Sequence, residues 1–242
     1  MMKTTTFKIL IVLFVATLLS SCNSNMFNSA TGNRNVTIED RTKKEPFTAM
    51  KVSSGLELYI SQGSKNKITV EADENLHELI KTEVKDGVLT IYSEKNIWKA
   101  KARKIYVTIK EVEVVAATSG AEVYTKETLT VKNLTVSATS GAEINISVDA
   151  DSIETVATSG ADIAISGISN THISKATSGA SIDAFKLQSK NVTAIVTSGA
   201  DINVYASEKM DGKATSGGDI DFKGNPKKIN KTTTSGGSVS AE

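Results

Sequence analysis

Apolar and polar residues alternate along most of the C-terminal half of the chain. In one stretch the residues of one parity are Leu134, Val136, Ala138, Ser140, Ala142, Ile144 and Ile146. In the next stretch they are Ile153, Thr155, Ala157, Ser159, Ala161, Ile163 and Ile165. Because alternate residues of a strand face the same side, the pattern predicts strands that turn these residues, serines included, towards a core. The residues between them, such as Glu143 and Asp162, are expected to face solvent.

The alternation is organised by a repeat. The triplet Thr-Ser-Gly begins at residues 118, 139, 158, 177, 197, 215 and 234, at intervals of 18 to 21 residues. A small residue follows each triplet, and two positions later comes a β-branched apolar residue. These β-branched residues are Val123, Ile144, Ile163, Ile182, Ile202, Ile220 and Val239. A repeat of this period is typical of solenoid proteins.

We therefore predict an all-β fold, a right-handed parallel β-helix with rungs of about 18–21 residues. A strand unit of this length cannot bury its apolar side alone, but stacked units form continuous internal columns of side chains. Glycine can form the corner because it adopts positive φ at low cost. Each repeat is too short for a propeller blade of about 40 residues. The repeat region is expected over 118–242.

One repeat departs from the pattern. Ile173 is one residue too close to Ala176, which predicts a bulge or a shortened loop there. Upstream, residues 52–60 match the repeat with leucine in the small-residue position, and we interpret them as a degenerate rung. Residues 36–117 are expected to form a less regular β portion that covers the N-terminal end of the core.

Within that portion, strands are predicted at 67–72, 88–93 and 104–110. Residues 73–80 resemble a short helix with Asp73 as its N-cap. Asp86-Gly87 predicts a hairpin turn.

The N-terminus carries a targeting segment. Lys3 and Lys8 precede an apolar run from Ile9 to Leu19, which is too short for an ordinary transmembrane helix of about 20 residues. Residues 19–22, Leu-Ser-Ser-Cys, resemble a lipobox, which implies cleavage before Cys22 and lipid on that cysteine. We therefore expect a lipoprotein signal peptide at 1–21 and a flexible polar tether at 22–35. Cys22 is the only cysteine, so no disulfide is expected within the chain.

Several segments carry a family resemblance. Residues 70–76 (Val-Glu-Ala-Asp-Glu-Asn-Leu), residues 87–91 (Gly-Val-Leu-Thr-Ile) and the Ser-Gly-Ala rungs resemble the head GIN domain of auto-transporter adhesins. The resemblance extends over about residues 45–235. It implies a β-helical fold and an envelope lipoprotein of a Gram-negative bacterium, and it implies no particular functional residues.

Catalytic chemistry is scarce in the sequence. The formal net charge is +1, which gives no global attraction to nucleic acid. His77 and His172 are the only histidines. We place His77 in the short helix and His172 in a loop, and we interpret both as surface or structural residues. The chain has neither a phosphate-binding loop nor a dinucleotide fingerprint. No catalytic residue, metal site or cofactor is therefore predicted.

Two groups of side chains are candidates for ligand binding. The first is an outward column of Glu122, Glu143, Asp162, Asp201 and Asp219, interrupted by Ser181, with a parallel column of Asn145, Asp183, Asn203 and Asp221. A solvated face is one interpretation, and a face that contacts glycan or bridging cations is the other. The second group is Trp98, Lys99, Lys101 and Arg103, with Lys95 and Lys104 nearby and no acid within 95–104. It is either a solvated loop or a contact for an anionic glycan or lipid headgroup.

The predicted function is a non-enzymatic, lipid-anchored binding or scaffolding module of the cell envelope, adhesin-like and in contact with polysaccharide. The alternative is a carbohydrate-active β-helix enzyme, either a polysaccharide lyase or a hydrolase. The expected location is the outer membrane, facing the periplasm or the cell surface. The final rung is expected to expose apolar positions such as Phe222, and from this we predict a homodimer that covers them. The alternative is that the polar side chains of Ser238 and Ser240 and the acidic terminus are enough to protect this edge.

Overall fold

The computed structural model describes residues 29–41 and 45–242, and it is built almost wholly of strands. The N-terminal strands are β1 Ser29–Thr31, β2 Val36–Asp40, β3 Ala49–Val52, β4 Glu57–Gln62, β5 Lys67–Asp73, β6 Ile80–Lys85, β7 Val88–Ser93, β8 Asn96–Lys99 and β9 Arg103–Ile109. The strands of the repeat region are β10 Val114–Thr118, β11 Glu122–Thr125, β12 Leu129–Thr139, β13 Glu143–Thr158, β14 Asp162–Thr177, β15 Ser181–Thr197, β16 Asp201–Thr215, β17 Asp219–Lys223, β18 Lys228–Thr234 and β19 Ser238–Ala241. A 3₁₀ helix spans Glu74–Leu76.

Successive rungs stack in register, which confirms the predicted parallel solenoid of about 7 turns. Residues 143–150 pair with residues 162–169, and residues 152–158 pair with residues 171–177, all in parallel. The inward parity shifts by one between Ala150 and Ile153, because the chain bends between the two paired segments. Each rung therefore contributes one segment to each of two sheet faces that enclose the core.

The Thr-Ser-Gly triplet forms the other bend of each rung. Ser159 and Gly160 have φ values of 57° and 66°, and the same pair of positive values recurs at every triplet. Two consecutive left-handed residues define a type I′ turn. The turns stack, since the Gly141 N–H donates to the Ser159 carbonyl at 3.2 Å and this bond repeats along the solenoid. The prediction that the serines face the core is wrong, because Ser140 and Ser159 lie in these turns and are exposed.

The interior is lined by the predicted β-branched column. All seven of these side chains, from Val123 to Val239, are buried. Leu58 of β4 pairs with Val123, and Ile105 of β9 pairs with Leu58, so the column continues into the N-terminal portion. The turn at Ser54 and Gly55 also has positive φ at both residues. Residues 52–60 are therefore a rung, as predicted, and Leu56 is buried in the small-residue position.

Antiparallel pairs extend the N-terminal end of the solenoid. Strand β5 pairs antiparallel with both β2 and β9. Strands β6 and β7 form the predicted hairpin, with Asp86 and Gly87 at φ values of 50° and 77°. The predicted helix at 73–80 is reduced to the 3₁₀ turn, and the Asp73 side chain makes no capping hydrogen bond. It binds neighbouring loops instead, as described below.

Part of the predicted tether belongs to the fold. Strand β1 pairs in parallel with β8, and the Arg34 N–H donates to Asp73 Oδ2 at 2.9 Å. Residues 29–35, which the sequence assigns to the tether, therefore take part in the fold, because these backbone groups find partners in the N-terminal loops. Cys22, the signal peptide and residues 23–28 lie outside the described residues.

The predicted slip in the fourth repeat is also wrong. Ile153 pairs with His172 and Thr155 pairs with Ser174, so the register is kept. Ile173 faces outward, and His172 and Ser174 take the buried positions. A register shift occurs instead where β14 pairs with β15, between Ala164 and Ser166.

At the C-terminal end, Phe222 is buried beneath β19, with Ala241 as its pairing partner. The expectation that it is exposed is therefore wrong. All seven residues of β18 are exposed. The homodimer stays a prediction.

Candidate functional site

The outward acidic residues form one column on one sheet face. Pairing aligns Glu122, Glu143, Asp162, Ser181, Asp201 and Asp219 in consecutive strands. The column continues at its N-terminal end with Glu57, which pairs with Glu122. Neighbouring strands lie about 4.8 Å apart, so the column presents an oxygen-bearing side chain at every step over roughly 30 Å, and a carboxylate at every step except Ser181.

Four carboxylates of this acidic column lie beyond ion-pair distance of every cation of the described residues. Within residues 29–41 and 45–242, no lysine, arginine or histidine nitrogen lies within 4.0 Å of the carboxylates of Glu143, Asp162, Asp201 or Asp219. No group of three or more metal-ligating side chains is assembled in the same ranges. The column therefore offers free hydrogen-bond acceptors to solvent.

The second column lies two residues further along each strand. Asn145, Ala164, Asp183, Asn203 and Asp221 are aligned by pairing. Burial and the nearby carboxylates of Glu242, Asp219 and Asp201 raise the pKa of Asp221. Negative charge is thus concentrated where the two columns run side by side.

At the N-terminal end, the second column becomes a ladder of tyrosines. The ring of Tyr59 stacks between those of Tyr106 and Tyr124, with centroid distances of 5.2 and 5.4 Å. The Tyr59 hydroxyl donates to Glu57 at 3.1 Å, and the Tyr124 hydroxyl donates to Glu122 at 2.8 Å. Burial and the hydrogen bond to Glu71 raise the pKa of Tyr106 to about 12. The ladder therefore remains protonated at neutral pH and holds the adjoining carboxylates in place.

The predicted basic group lines a pocket of about 460 Å³. Trp98, Lys99, Lys101 and Arg103 all contribute to the wall, together with Arg34. Glu57 also lines it, so the pocket begins where the acidic column ends. The structure thus brings the four predicted basic and aromatic residues together. It leaves Glu143, Asp162, Asp201 and Asp219 on the sheet beyond, outside the pocket.

Asp73 shapes this basic tryptophan pocket from beneath. Its buried carboxylate accepts the backbone N–H groups of Arg34, Lys101 and Ala102 at 2.9 to 3.0 Å. Burial alone would raise the pKa of Asp73, but these three donors lower it further than burial raises it. A Cβ on Gly32 would lie 1.9 Å from Asp73 Oδ2. Only glycine therefore fits where the chain passes the carboxylate.

The two histidines have structural environments. His77 Nε2 lies 3.0 Å from Thr37 Oγ1, and its Nδ1 lies 2.9 Å from Glu39 Oε2. His172 is fully buried in β14, where Nε2 lies 2.9 Å from Thr155 Oγ1. The loop position predicted for His172 is wrong, because the strand continues through it. Among the described residues, its Nδ1 has no hydrogen-bond partner.

Sequence reasoning missed the tyrosines, Glu57 and Arg34. Tyr59 and Glu57 could have been found, because residues 52–60 match the repeat and their outward positions follow from it. Tyr106 could not, since β9 joins the sheet from a segment without the triplet. Arg34 was assigned to the tether.

The chain resembles several known proteins. The family model described as "Putative auto-transporter adhesin, head GIN domain" matches residues 46–226. A putative adhesin from Bacteroides fragilis has a similar structure, with a TM-score of 0.81, 19% identity and coverage of 88% of this chain and 100% of that one. A putative adhesin from Parabacteroides merdae has a TM-score of 0.70 and 17% identity, with coverage of 89% of this chain and 99% of that one. A putative lipid binding protein from Parabacteroides distasonis has a TM-score of 0.71 and 20% identity, with coverage of 88% of this chain and 99% of that one. At these identities the structures show a shared fold.

No curated protein sequence matches the chain significantly. Among the described residues, no helix has the length and apolar character needed to cross a membrane.

Proposed function

The chain belongs to the family described as "Putative auto-transporter adhesin, head GIN domain", and from that premise we propose a non-enzymatic, adhesin-like binding module of the cell envelope. Lipid on Cys22 anchors it to the outer membrane. Its sheet face binds polysaccharide through the acidic column. The similar structures described as putative adhesins are consistent with this role.

The observation that carries the proposal is the acidic column itself. A polysaccharide repeats the same hydroxyl groups along its length, and a solenoid repeats the same acceptors along its axis. Carboxylates without cationic partners can accept hydrogen bonds from such hydroxyls, and charge-assisted bonds are stronger than neutral ones. The tyrosine ladder orients Glu57 and Glu122 at the N-terminal end, which supports the same surface.

The same geometry favours binding over cleavage. Glycoside hydrolysis needs two carboxyl groups that flank the scissile bond. Members of the acidic column share one parity of parallel strands and therefore face the same way. A sugar chain lying on them would be contacted from one side.

A polysaccharide panel tests the proposal. We expect calorimetry on the mature, unlipidated chain to detect binding to at least one neutral or basic polysaccharide. The double variant Asp162→Asn, Asp201→Asn should bind roughly tenfold more weakly, since two charge-assisted hydrogen bonds become neutral ones. Glu208→Gln, an exposed carboxylate at the bend within β16, is the matched control. Release of oligosaccharides from any polysaccharide, or unchanged affinity of the double variant, would contradict the proposal.

The anchor is tested separately. Cys22→Ala should move the protein from the membrane fraction to the soluble fraction, because the lipid supplies the hydrophobic attachment. Fractionation of cells in high salt, followed by immunoblotting, measures the change. If the variant remains with the membranes under those conditions, lipid on Cys22 is not what holds it there.

A further inference from the structure

We propose that the basic tryptophan pocket is a membrane-contact site that takes the anionic headgroups of the bilayer to which the protein is anchored. This goes beyond polysaccharide binding, which uses the sheet face that begins at Glu57 and extends away from the pocket. It rests on the proposed lipid anchor for the choice of a membrane over a soluble anion.

Charge is the first argument. Lys99, Lys101 and Arg103 line the pocket with Arg34, and Lys95 and Lys104 adjoin it in the chain. Within the described ranges, none of these six side chains lies within 4.0 Å of a carboxylate. The facing carboxylates are Glu57 and Glu71, which accept the Tyr59 and Tyr106 hydroxyls, and Glu94, which is paired with Lys81. The Asp73 carboxylate lies close enough to interact with the Arg34 charge, and its oxygens are occupied by three backbone N–H groups. Cations in this excess attract an anionic surface.

Trp98 is the second argument. Alternation along β8 buries Ile97, which is 4% exposed, and turns Trp98 outward, where it is 63% exposed. The indole is therefore fixed in an outward position by a buried neighbour and by the pairing of β8 with β1. Tryptophan is enriched where protein meets the headgroup region, because its ring is apolar and its N–H is polar.

The position of the pocket relative to Cys22 favours a membrane headgroup over a soluble anion as the ligand. Thr31 and Gly32, which end and follow β1, line the pocket. Seven residue steps separate Cys22 from Ser29, and a chain of that length spans at most about 25 Å. The pocket is thus held close to the lipidated residue. The acidic column leads away from it along the solenoid, so most of that surface lies at a distance from the bilayer when the pocket contacts it.

The test uses the whole mature chain with Cys22→Ser, so that no lipid contributes. Trp98 is the only tryptophan, and its fluorescence therefore reports on this pocket alone. With vesicles of equal parts phosphatidylglycerol and phosphatidylcholine, we expect a blue shift of its emission that high salt reverses. Vesicles of phosphatidylcholine alone should cause no shift.

Variants then assign the contact. In vesicle sedimentation, Lys99→Ala, Lys101→Ala should bind anionic vesicles roughly tenfold more weakly. The matched control, Lys132→Ala, Lys190→Ala, removes two exposed lysines elsewhere on the solenoid and should bind as the parent does. Thermal unfolding of both variants checks that neither disturbs the fold.

Three results would overturn the proposal: no shift with anionic vesicles, equal loss of binding in the two double variants, or a shift with polygalacturonate and none with vesicles. The last would make the pocket a site for acidic glycans. None of them bears on Cys22 or on the acidic column, which are tested by fractionation and by the polysaccharide panel.

Discussion

Acidification from pH 7 to pH 4 is expected to reduce the free energy of unfolding by about 3 kcal/mol through one side chain, His172. This imidazole is buried in the core, and burial lowers its pKa from 6.5 to about 4. In the unfolded chain the pKa returns to its ordinary value. Between the two values the unfolded state binds a proton that the folded state does not. The stability is therefore complete above pH 6.5 and is lost as the pH falls towards 4.

The core around His172 explains why protonation is costly. Nε2 is close enough to donate to Thr155 Oγ1, and Thr155 donates to Ser174 Oγ at 3.1 Å. That arrangement leaves Nδ1 as a bare acceptor, and among the described residues it has no partner. Protonation would place a charged donor there among apolar side chains. The pairing neighbours of His172 are Ile153 and Val192.

Urea denaturation followed at several pH values measures the effect. His172→Ile matches the β-branched residues on both neighbouring rungs and should flatten the curve between pH 6.5 and 4 without loss at pH 7. His77→Gln is the control, because His77 contacts Thr37 and Glu39 of β2 and lies outside the core around His172, so the loss of stability through His172 should remain in this variant. A His172→Ile curve parallel to that of the parent protein would contradict the assignment.

Asp73→Ala is expected to cost about 4 kcal/mol of stability, because it leaves three backbone N–H groups without their acceptor and removes a charge that they solvate. Asp73→Asn should cost about half as much, since the amide oxygen still accepts but its NH₂ group opposes a donor. In both variants, hydrogen exchange should accelerate at Arg34, Lys101 and Ala102. Asp162→Asn, which removes an exposed carboxylate, should change stability by less than about 0.5 kcal/mol.

Urea denaturation gives the energies, and hydrogen exchange resolved by residue gives the location. The pocket should respond as well, because Asp73 holds both chain segments that form its wall. Trp98 fluorescence is expected to change in Asp73→Ala without any ligand present. Fast exchange spread evenly over the solenoid, with no preference for the three donors, would show that Asp73 has only a general effect on folding.

The structural features that recur in every repeat could be predicted from the sequence, and those that occur only once were harder to predict. The buried column from Val123 to Val239 and the acidic column followed from period and parity alone. Serine in the triplet was placed wrongly because parity arguments fail where the backbone turns with positive φ. His172 was placed wrongly for a related reason. Its neighbour Ile173 is apolar, so the sequence favours a register slip that buries Ile173 over a histidine in the core. Only its hydrogen bond to Thr155 shows why the core accepts it.

Residues of the candidate sites that are neighbours in sequence were predicted, and residues that reach the sites from distant segments were not. The run of cations around Trp98 is local in sequence, so the four wall residues could be proposed without a structure. Arg34 and Glu57 reach the same pocket through pairing of distant segments, and such pairing is specified by no single stretch of sequence. Asp73 was noticed as a helix cap because its local context suits one. Its actual partners are 28 to 39 residues away.

The stacked turns have a mechanical consequence. The hydrogen bonds between rungs, such as that from Gly141 to the Ser159 carbonyl, run along the axis of the solenoid. A protein fixed to a membrane at one end and to a ligand on its side would carry tension along that axis. The interfaces between rungs carry this tension in series, so the weakest interface would open first and the rungs would detach one after another. Each detached rung of 19 residues, such as that from Thr158 to Thr177, would then extend to roughly 65 Å of chain.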